Sequence, residues 1–332
     1  MMNIIKYKKI PLFISGALML GSIIILALFG LKLGIDFTGG SLIEVSFTET
    51  RPEMATVSET LAPLNLGNIV VQPLEDKSII LKMRYVSEEE HQAVLSALRN
   101  SFETTSGEEG DSGLVVTTEG NTPIEIGTIN GENTEVATGN KVYEERIETI
   151  GASLGSELRG HAVKALLIVL IAIILYIAYS FRKISEPVES WKYGVAAVIA
   201  LLHDVLITMA AFSLLGKFSG VEVDIPFIVA LMTILGYSVN DTIVVFDRIR
   251  ENLIKRGSSN FEETVNIGVN QTVMRSLNTN FTVMLVLGII FFFGGDSIHY
   301  FSLALIIGIF FGTYSSIFFA SPLLVVWKNL KK

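Results

Sequence analysis

The chain has no cysteine, which excludes disulfides and thiolate metal sites and leaves nothing to report on redox compartment. Histidine is almost as scarce: His91, His161, His203 and His299 are scattered and give no metal-ligand spacing. Charge is thin too. Only 17% of the 332 residues are charged and 50% are apolar, and the mean hydropathy of +0.54 places the chain among membrane proteins. The net charge of −8 conceals a partition, with acids gathered between residues 32 and 160 and bases gathered in short segments elsewhere. No nucleic-acid-binding pattern is present.

What is abundant is long apolar runs. Six membrane spans are predicted, at 10–31, 162–181, 193–215, 225–246, 273–293 and 300–326, each near the ~20 residues that cross a bilayer. The first follows Lys6, Lys8 and Lys9 as a signal peptide would. Its apolar core is longer than a signal core and no A-x-A site follows, so it reads as a retained anchor.

The bases then orient the chain. Lys6, Lys8 and Lys9, then Arg182, Lys183 and Lys192, then Arg248, Arg250, Lys255 and Arg256, then Lys328, Lys331 and Lys332 all fall on one side of a six-span chain. The opposing short loops hold only Lys217. Both termini are therefore expected in the cytoplasm, with segment 32–160 outside it.

That segment has its own pattern. Residues 42–47 alternate as a half-buried strand. A helix at 52–61 is expected to start on Pro52, with strands at 69–74 and 78–85 turning at 75–77. Ser87 and Glu90 form a capping-box signal for a helix at 88–100, and a last strand fits 142–150. The order β-α-β-β-α-β is the ferredoxin-like split unit. Residues 102–140 contain no Lys or Arg and only short apolar clusters; a weak hairpin and a mobile acidic insertion both fit. The expected fold is thus an α-helical integral membrane protein with six transmembrane helices and an extracytoplasmic α+β domain between the first two. The expected divisions are 1–31, 32–160, 161–327 and a tail at 328–332.

Asp241 lies deep in the fourth apolar run. A carboxylate at a helix centre costs roughly 2.5–3.5 kcal/mol on insertion scales, so it marks a partner, a cavity or an ion path. Arg275, near the start of the fifth run, is the candidate partner. Its guanidinium keeps its proton, which gives it an electrostatic role, although snorkelling into water is the simpler use of such a base. Asn240 and Asn278 stand beside the pair, and interhelical hydrogen bonding is the common use of such amides. Asp204 is a second buried acid, with His203 next to it. Adjacent helical residues point about 100° apart, which predicts that His203 and Asp204 do not form a tight local pair. Asp247 and Arg250 are spaced to pair on one face at the end of the fourth span. Outside the membrane no catalytic constellation stands out. Gly39-Gly40 lacks the lysine of a phosphate loop and leads into a strand, so turn geometry is the expectation.

Several stretches together resemble the SecF branch of the SecD/SecF protein-export family, within the RND transporter superfamily. They are Leu33-Gly34-Ile35-Asp36-Phe37-Thr38-Gly39-Gly40, Ile150-Gly151-Ala152-Ser153-Leu154-Gly155-Ser156-Glu157-Leu158, and Leu202-His203-Asp204-Val205. Gly236 to Asp241 continuing to Asp247-Arg248-Ile249-Arg250-Glu251-Asn252, and Asn270-Gln271-Thr272-Val273-Met274-Arg275-Ser276-Leu277-Asn278-Thr279, complete the set. Only 102–140 departs from the family pattern.

The resemblance implies a role in Sec-dependent protein translocation across the bacterial cytoplasmic membrane. It implies a SecD-like partner, the SecYEG channel, YajC/YidC, translocating preprotein and membrane lipid as the surroundings. It also implies coupling to H+ or Na+ with no other cofactor, no metal and no enzymatic activity. In the family's proposed relay a span-four aspartate matches Asp241 and a span-five arginine matches Arg275, with a further aspartate from the partner. Three rival readings stand beside this one: an RND-type half-transporter for lipids or hydrophobic small molecules, an intramembrane aspartyl protease on Asp204 and Asp241, and a scaffold. The protease needs its two carboxyls within about 3 Å.

Overall fold

A computed structural model describes residues 3–74, 76–103, 140–180, 190–256 and 260–329. The chain forms two compact units, one of Met1–Thr38 with Ser153–Lys332 and one of Gly39–Ala152. Apart from its ends, the insertion expected at 102–140 lies outside the described residues, as does Glu75 of the 75–77 turn.

A 3-10 turn at Ile5–Tyr7 leads into α1 (Lys9–Phe29), and a single turn, α2 (Ile35–Thr38), closes the first part of the helical unit. The second unit then runs β1 (Gly40–Phe47), α3 (Met54–Leu61), β2 (Val70–Leu74), β3 (Ser78–Met83), α4 (Glu88–Phe102) and β4 (Val142–Ile150). Its four strands form one antiparallel sheet in the order β2-β3-β1-β4. The alternation in β1 turns Ile43, Val45 and Phe47 inward, where Ile79, Leu81, Val57, Leu61, Val94 and Leu98 complete a closed apolar core. The helix expected to begin at Pro52 starts two residues later, after Glu53. The capping box forms as expected. Glu90 N–H donates to Ser87 Oγ at 3.3 Å and Ser87 N–H donates to Glu90 Oε2 at 3.0 Å. Gly39 needs to be glycine, because its φ is +74° and a Cβ there would stand 2.6 Å from Ala152 Cα. Turn geometry therefore accounts for that glycine.

The helical unit resumes with α5 (Ala152–Ser180), α6 (Ser190–Ser219), α7 (Ile225–Arg256), α8 (Phe261–Phe293) and α9 (Asp296–Ser315). A π-turn at Ser316–Ala320 joins α9 to α10 (Ser321–Asn329). Among the described residues, six helices are long and apolar enough to cross a membrane. Three of them extend well beyond the predicted spans: α5 begins ten residues early (152 against 162), α8 twelve residues early (261 against 273), and α7 ends ten residues late (256 against 246). Hydropathy detects only the apolar part of a helix, whereas hydrogen bonding and capping carry it on into polar sequence, as Asn260 does for α8 by accepting from Glu263 N–H.

Helices α6, α7 and α9 form the buried heart of this unit, while α1 and α5 keep most of their apolar surface uncovered. Between α7 and α9 the backbones approach closely at Gly308 and Gly312. A Cβ on Gly308 would collide with the Ile234 side chain, and one on Gly312 would stand 3.2 Å from Ser238 Cβ. This Gly-x-x-x-Gly face supplies the tight packing on which helix association in lipid depends.

Candidate functional site: buried carboxylates of the helical unit

The start of α7 is set by acids. Asp36 Oδ2 accepts from Ile225 N–H at 2.8 Å, and Asp224 Oδ1 accepts from Phe227 N–H at 2.9 Å, so two carboxylates cap one helix N-terminus. The segment just before it is pinned by a short parallel bridge. Gly34 N–H donates to Val223 O and Val223 N–H donates to Lys32 O, each at 2.8 Å. The stretch from Lys32 to Asp36 thereby anchors the start of α7.

Asp241 is 8% exposed. Its Oδ1 accepts a hydrogen bond from Ser276 Oγ of α8, while its Oδ2 is buried with no partner among the described residues. Arg275 does not pair with it. The arginine side chain is exposed and within electrostatic reach of Asp241, but it makes no ion pair among the described residues. Side chains one residue apart on α8 point in different directions, so Ser276 faces α7 and Arg275 faces out. Asn240 and Asn278 are likewise exposed. The sequence-predicted group therefore divides into one buried acid and three exposed polar residues, Asn240, Arg275 and Asn278.

Asp204 is the more elaborate centre. Both it and His203 are 0% exposed. Asp204 Oδ2 accepts from Ser238 Oγ of α7 at 2.5 Å and from Ser315 Oγ of α9 at 2.8 Å. Its Oδ1 lies 2.9 Å from His203 Nδ1. The expectation that these neighbours could not pair is thus wrong. The 100° offset separates their Cβ atoms, yet the imidazole is long enough to reach back across it. The ring is held by Phe319 at 5.2 Å and Tyr314 at 6.2 Å between centroids, and its Nε2 has no partner among the described residues.

Sequence reasoning missed the hydroxyl partners. Thr242 and Ser316 share a hydrogen bond of 2.8 Å between α7 and the π-turn, and Asn280 of α8 donates to Thr313 of α9. Hydroxyl residues in helices commonly bond their own i−4 carbonyl, as Thr208 does here, so their type alone gave no signal. Asp204 and Asp241 share no hydrogen bond among the described residues, and each is occupied by serine hydroxyls from other helices. That is not the arrangement of a shared-proton protease pair. The Asp247–Arg250 pair is formed, at 3.5 Å.

Comparison with known proteins places this geometry. Residues 130–330 match the family model of the protein export membrane protein SecD/SecF, C-terminal, and residues 24–50 match the SecD/SecF GG motif. The chain belongs to the SecD/SecF family. It is 37% identical to the protein translocase subunit SecF of Thermobaculum terrenum, covering 99% of this chain and 95% of that one. It is 36% identical to the SecF subunit of Synechocystis sp., again over 99% and 95%. The crystal structure of SecDF from Thermus thermophilus superposes with a TM-score of 0.77 at 31% identity over 99% of this chain, which spans 39% of that one. A second SecDF structure, in a super-membrane-facing form, gives 0.59 at 32% identity. The role shared with the SecF relatives is protein export through the Sec machinery, as a multi-pass inner-membrane protein.

Proposed function

We propose that this chain is the SecF-like half of a SecD–SecF pair that uses a proton or sodium gradient to promote protein translocation beside the SecYEG channel and YajC/YidC. Asp241 is its ion-binding group. One observation carries this reading: a carboxylate oxygen buried inside a membrane span, Asp241 Oδ2, has no partner among the described residues. An unsatisfied buried acceptor is costly, and a small cation or a proton satisfies it. Arg275, Asn240 and Asn278 lie on the face left open to a second chain, where a SecD-like subunit and its own acid would complete the relay. Asp204 and His203 serve as supporting polar groups behind it. The antiparallel β2-β3-β1-β4 sheet supports a ferredoxin-like reading of the second unit. We place that unit outside the cytoplasm and both termini inside, since the bases favour one side.

The test is Asp241→Asn in the assembled complex, with preprotein translocation measured with and without an imposed gradient. One charge crossing 100 mV supplies about 2.3 kcal/mol, a bias of about fiftyfold on a conformational step. The variant is expected to accumulate normally and lose gradient dependence. A full gradient response in Asp241→Asn refutes the assignment.

A further inference from the structure

Beside the start of α1 lies a cleft of about 330 Å³, walled by Tyr7, Ile10, Pro11 and Ile14 on one side and by Tyr314 and Phe318 on the other. Its size is at the lower end of the roughly 300–1,000 Å³ of small-ligand pockets, and its lining is almost wholly apolar. Two of its wall residues, Ile10 and Ile14, are exposed on a helix that leaves much of its apolar surface uncovered, so the cleft opens sideways to lipid. The floor is firm. Tyr314 Oη donates to Pro11 O at 3.3 Å, and Ser15 Oγ donates to Tyr314 Oη at 3.4 Å.

The mouth carries positive charge. Lys6 Nζ stands 5.9 Å from the centroid of the Tyr7 ring, which lines the cleft, and Lys9 is exposed immediately before Ile10. Lys8 differs from them, because Glu262 neutralises it at 2.5 Å. Among the described residues no carboxylate pairs with Lys6 or Lys9. An apolar slot opening to lipid, with a tyrosine and the Lys6 ammonium at its mouth and the exposed Lys9 one residue before its wall, has the polarity of an acidic lipid: hydrocarbon below, anion above.

We propose that this cleft binds one acyl chain of an anionic phospholipid, whose headgroup phosphate is held by Lys6 and Lys9. A purified full chain carrying Tyr7→Trp, with Trp191→Phe and Trp327→Phe to remove the native fluorophores, reads the site directly. It is placed in bilayers in which either the phosphatidylglycerol or the phosphatidylcholine is chain-brominated, and tryptophan quenching gives the local preference. Each surface lysine contributes about fivefold to attraction of an anionic lipid, so a preference between about five- and twenty-five-fold for the glycerol lipid is expected. Lys6→Gln with Lys9→Gln reduces it to less than about twofold. Ile14→Phe narrows the slot and leaves both lysines in place, and it also reduces the preference to less than about twofold. Ile14 is already exposed, so folding is preserved. Equal quenching by both lipids overturns the proposal. A preference that survives Ile14→Phe overturns it too, since it then reflects general attraction of the basic end rather than the cleft. Absence of quenching by either lipid means that a protein segment covers the cleft, which likewise overturns it.

Discussion

Removing one hydroxyl from Asp204 at a time tests whether this carboxyl ties three helices together. Ser238 Oγ donates to Asp204 Oδ2 at 2.5 Å and has no other acceptor at hand, whereas Ser315 Oγ, 2.8 Å from the same oxygen, also lies 3.2 Å from Gly312 O. The serines are therefore not equivalent. Ser315→Ala removes a hydroxyl that divides its time between two acceptors; Ser238→Ala removes one committed to the carboxyl. Interhelical hydrogen bonds within membranes average about 0.6 kcal/mol and reach about 1.7 kcal/mol, while those to a charged acceptor run to about 1.5–3 kcal/mol. Full burial and three neighbouring polar groups put Asp204 at the upper end. Ser238→Ala is expected to cost about 1.5–2 kcal/mol and Ser315→Ala about half that.

Loss of stability alone does not identify the partner, so each serine variant is combined with Asp204→Ala in a double-mutant cycle. Reversible unfolding of the purified chain in mixed detergent micelles gives the four free energies. The expected coupling exceeds about 1 kcal/mol for Ser238 and is smaller for Ser315. Couplings below about 0.3 kcal/mol in both cycles, or Ser315 coupling more strongly than Ser238, would refute the three-helix junction.

Three other outcomes follow from named contacts. Gly308→Val pushes a branched side chain into Ile234 and should destabilise the α7–α9 contact by about 1–3 kcal/mol, with Gly288→Val, where a Cβ meets nothing within 4 Å, as the harmless control; equal losses in detergent unfolding would contradict the packing. The Glu90 carboxyl is held at about 2, first by its hydrogen bond from Arg84 and then by Ser87 N–H, against an ordinary value of 4.5. A depressed folded value favours the fold above about pH 4.5 and loses that contribution as the pH falls towards 2. Hydrogen exchange at the first turn of α4 should accordingly quicken across that window, and Glu90→Gln should abolish the pH dependence. Cysteine probes at Asn100 and Lys217 should label from outside the cell and those at Lys255 and Asn329 only from inside; outside labelling at Lys255 would break the six-span topology.

Local rules made much of this molecule legible. Alternation located β1, the Ser87–Glu90 pair located α4, and apolar runs located six helices, because each signal is carried within one element. Asp241 stood out because a carboxylate in an apolar run is conspicuous wherever it points. Side-chain direction was less legible. Arg275 and Ser276 are adjacent in sequence, yet the serine meets the acid while the arginine faces outward, and that depends on the rotation of α8 against α7. The cap that Asp36 places on α7 joins residues 189 positions apart, beyond the reach of local pattern. Gly308 and Gly312 were visible in the sequence at the right spacing, but their partner helix was not.

The same contacts place the buried acids among polar pairs that join four helices. Lipid offers no hydrophobic drive for helix pairing, so α6, α7, α8 and α9 hold by close packing and by polar pairs. Five such pairs among the described residues contain a hydroxyl: Ser238 and Ser315 on Asp204, Ser276 on Asp241, Thr242 with Ser316, Thr313 with Asn280; at the far end of α7, Arg248 and Asn252 instead donate to Gln271 of α8. Two of these hydroxyls also bond one turn back on their own chain: Thr313 Oγ1 accepts from Asn280 Nδ2 while donating to Ile309 O at 2.8 Å, and Ser316 Oγ donates to Gly312 O at 2.9 Å beside Thr242. The π-turn at Ser316–Ala320 falls where Thr242 and Asp204 contact α9, and it already carries a looser hydrogen-bond register, with Ser321 Oγ reaching Ser316 O at 3.2 Å. Under the proposed coupling, a change of charge at Asp204 would reach this turn through Ser315, and one at Asp241 through the adjacent Thr242. The coupling proposed above makes use of that placement, whereas a scaffold has no need of it.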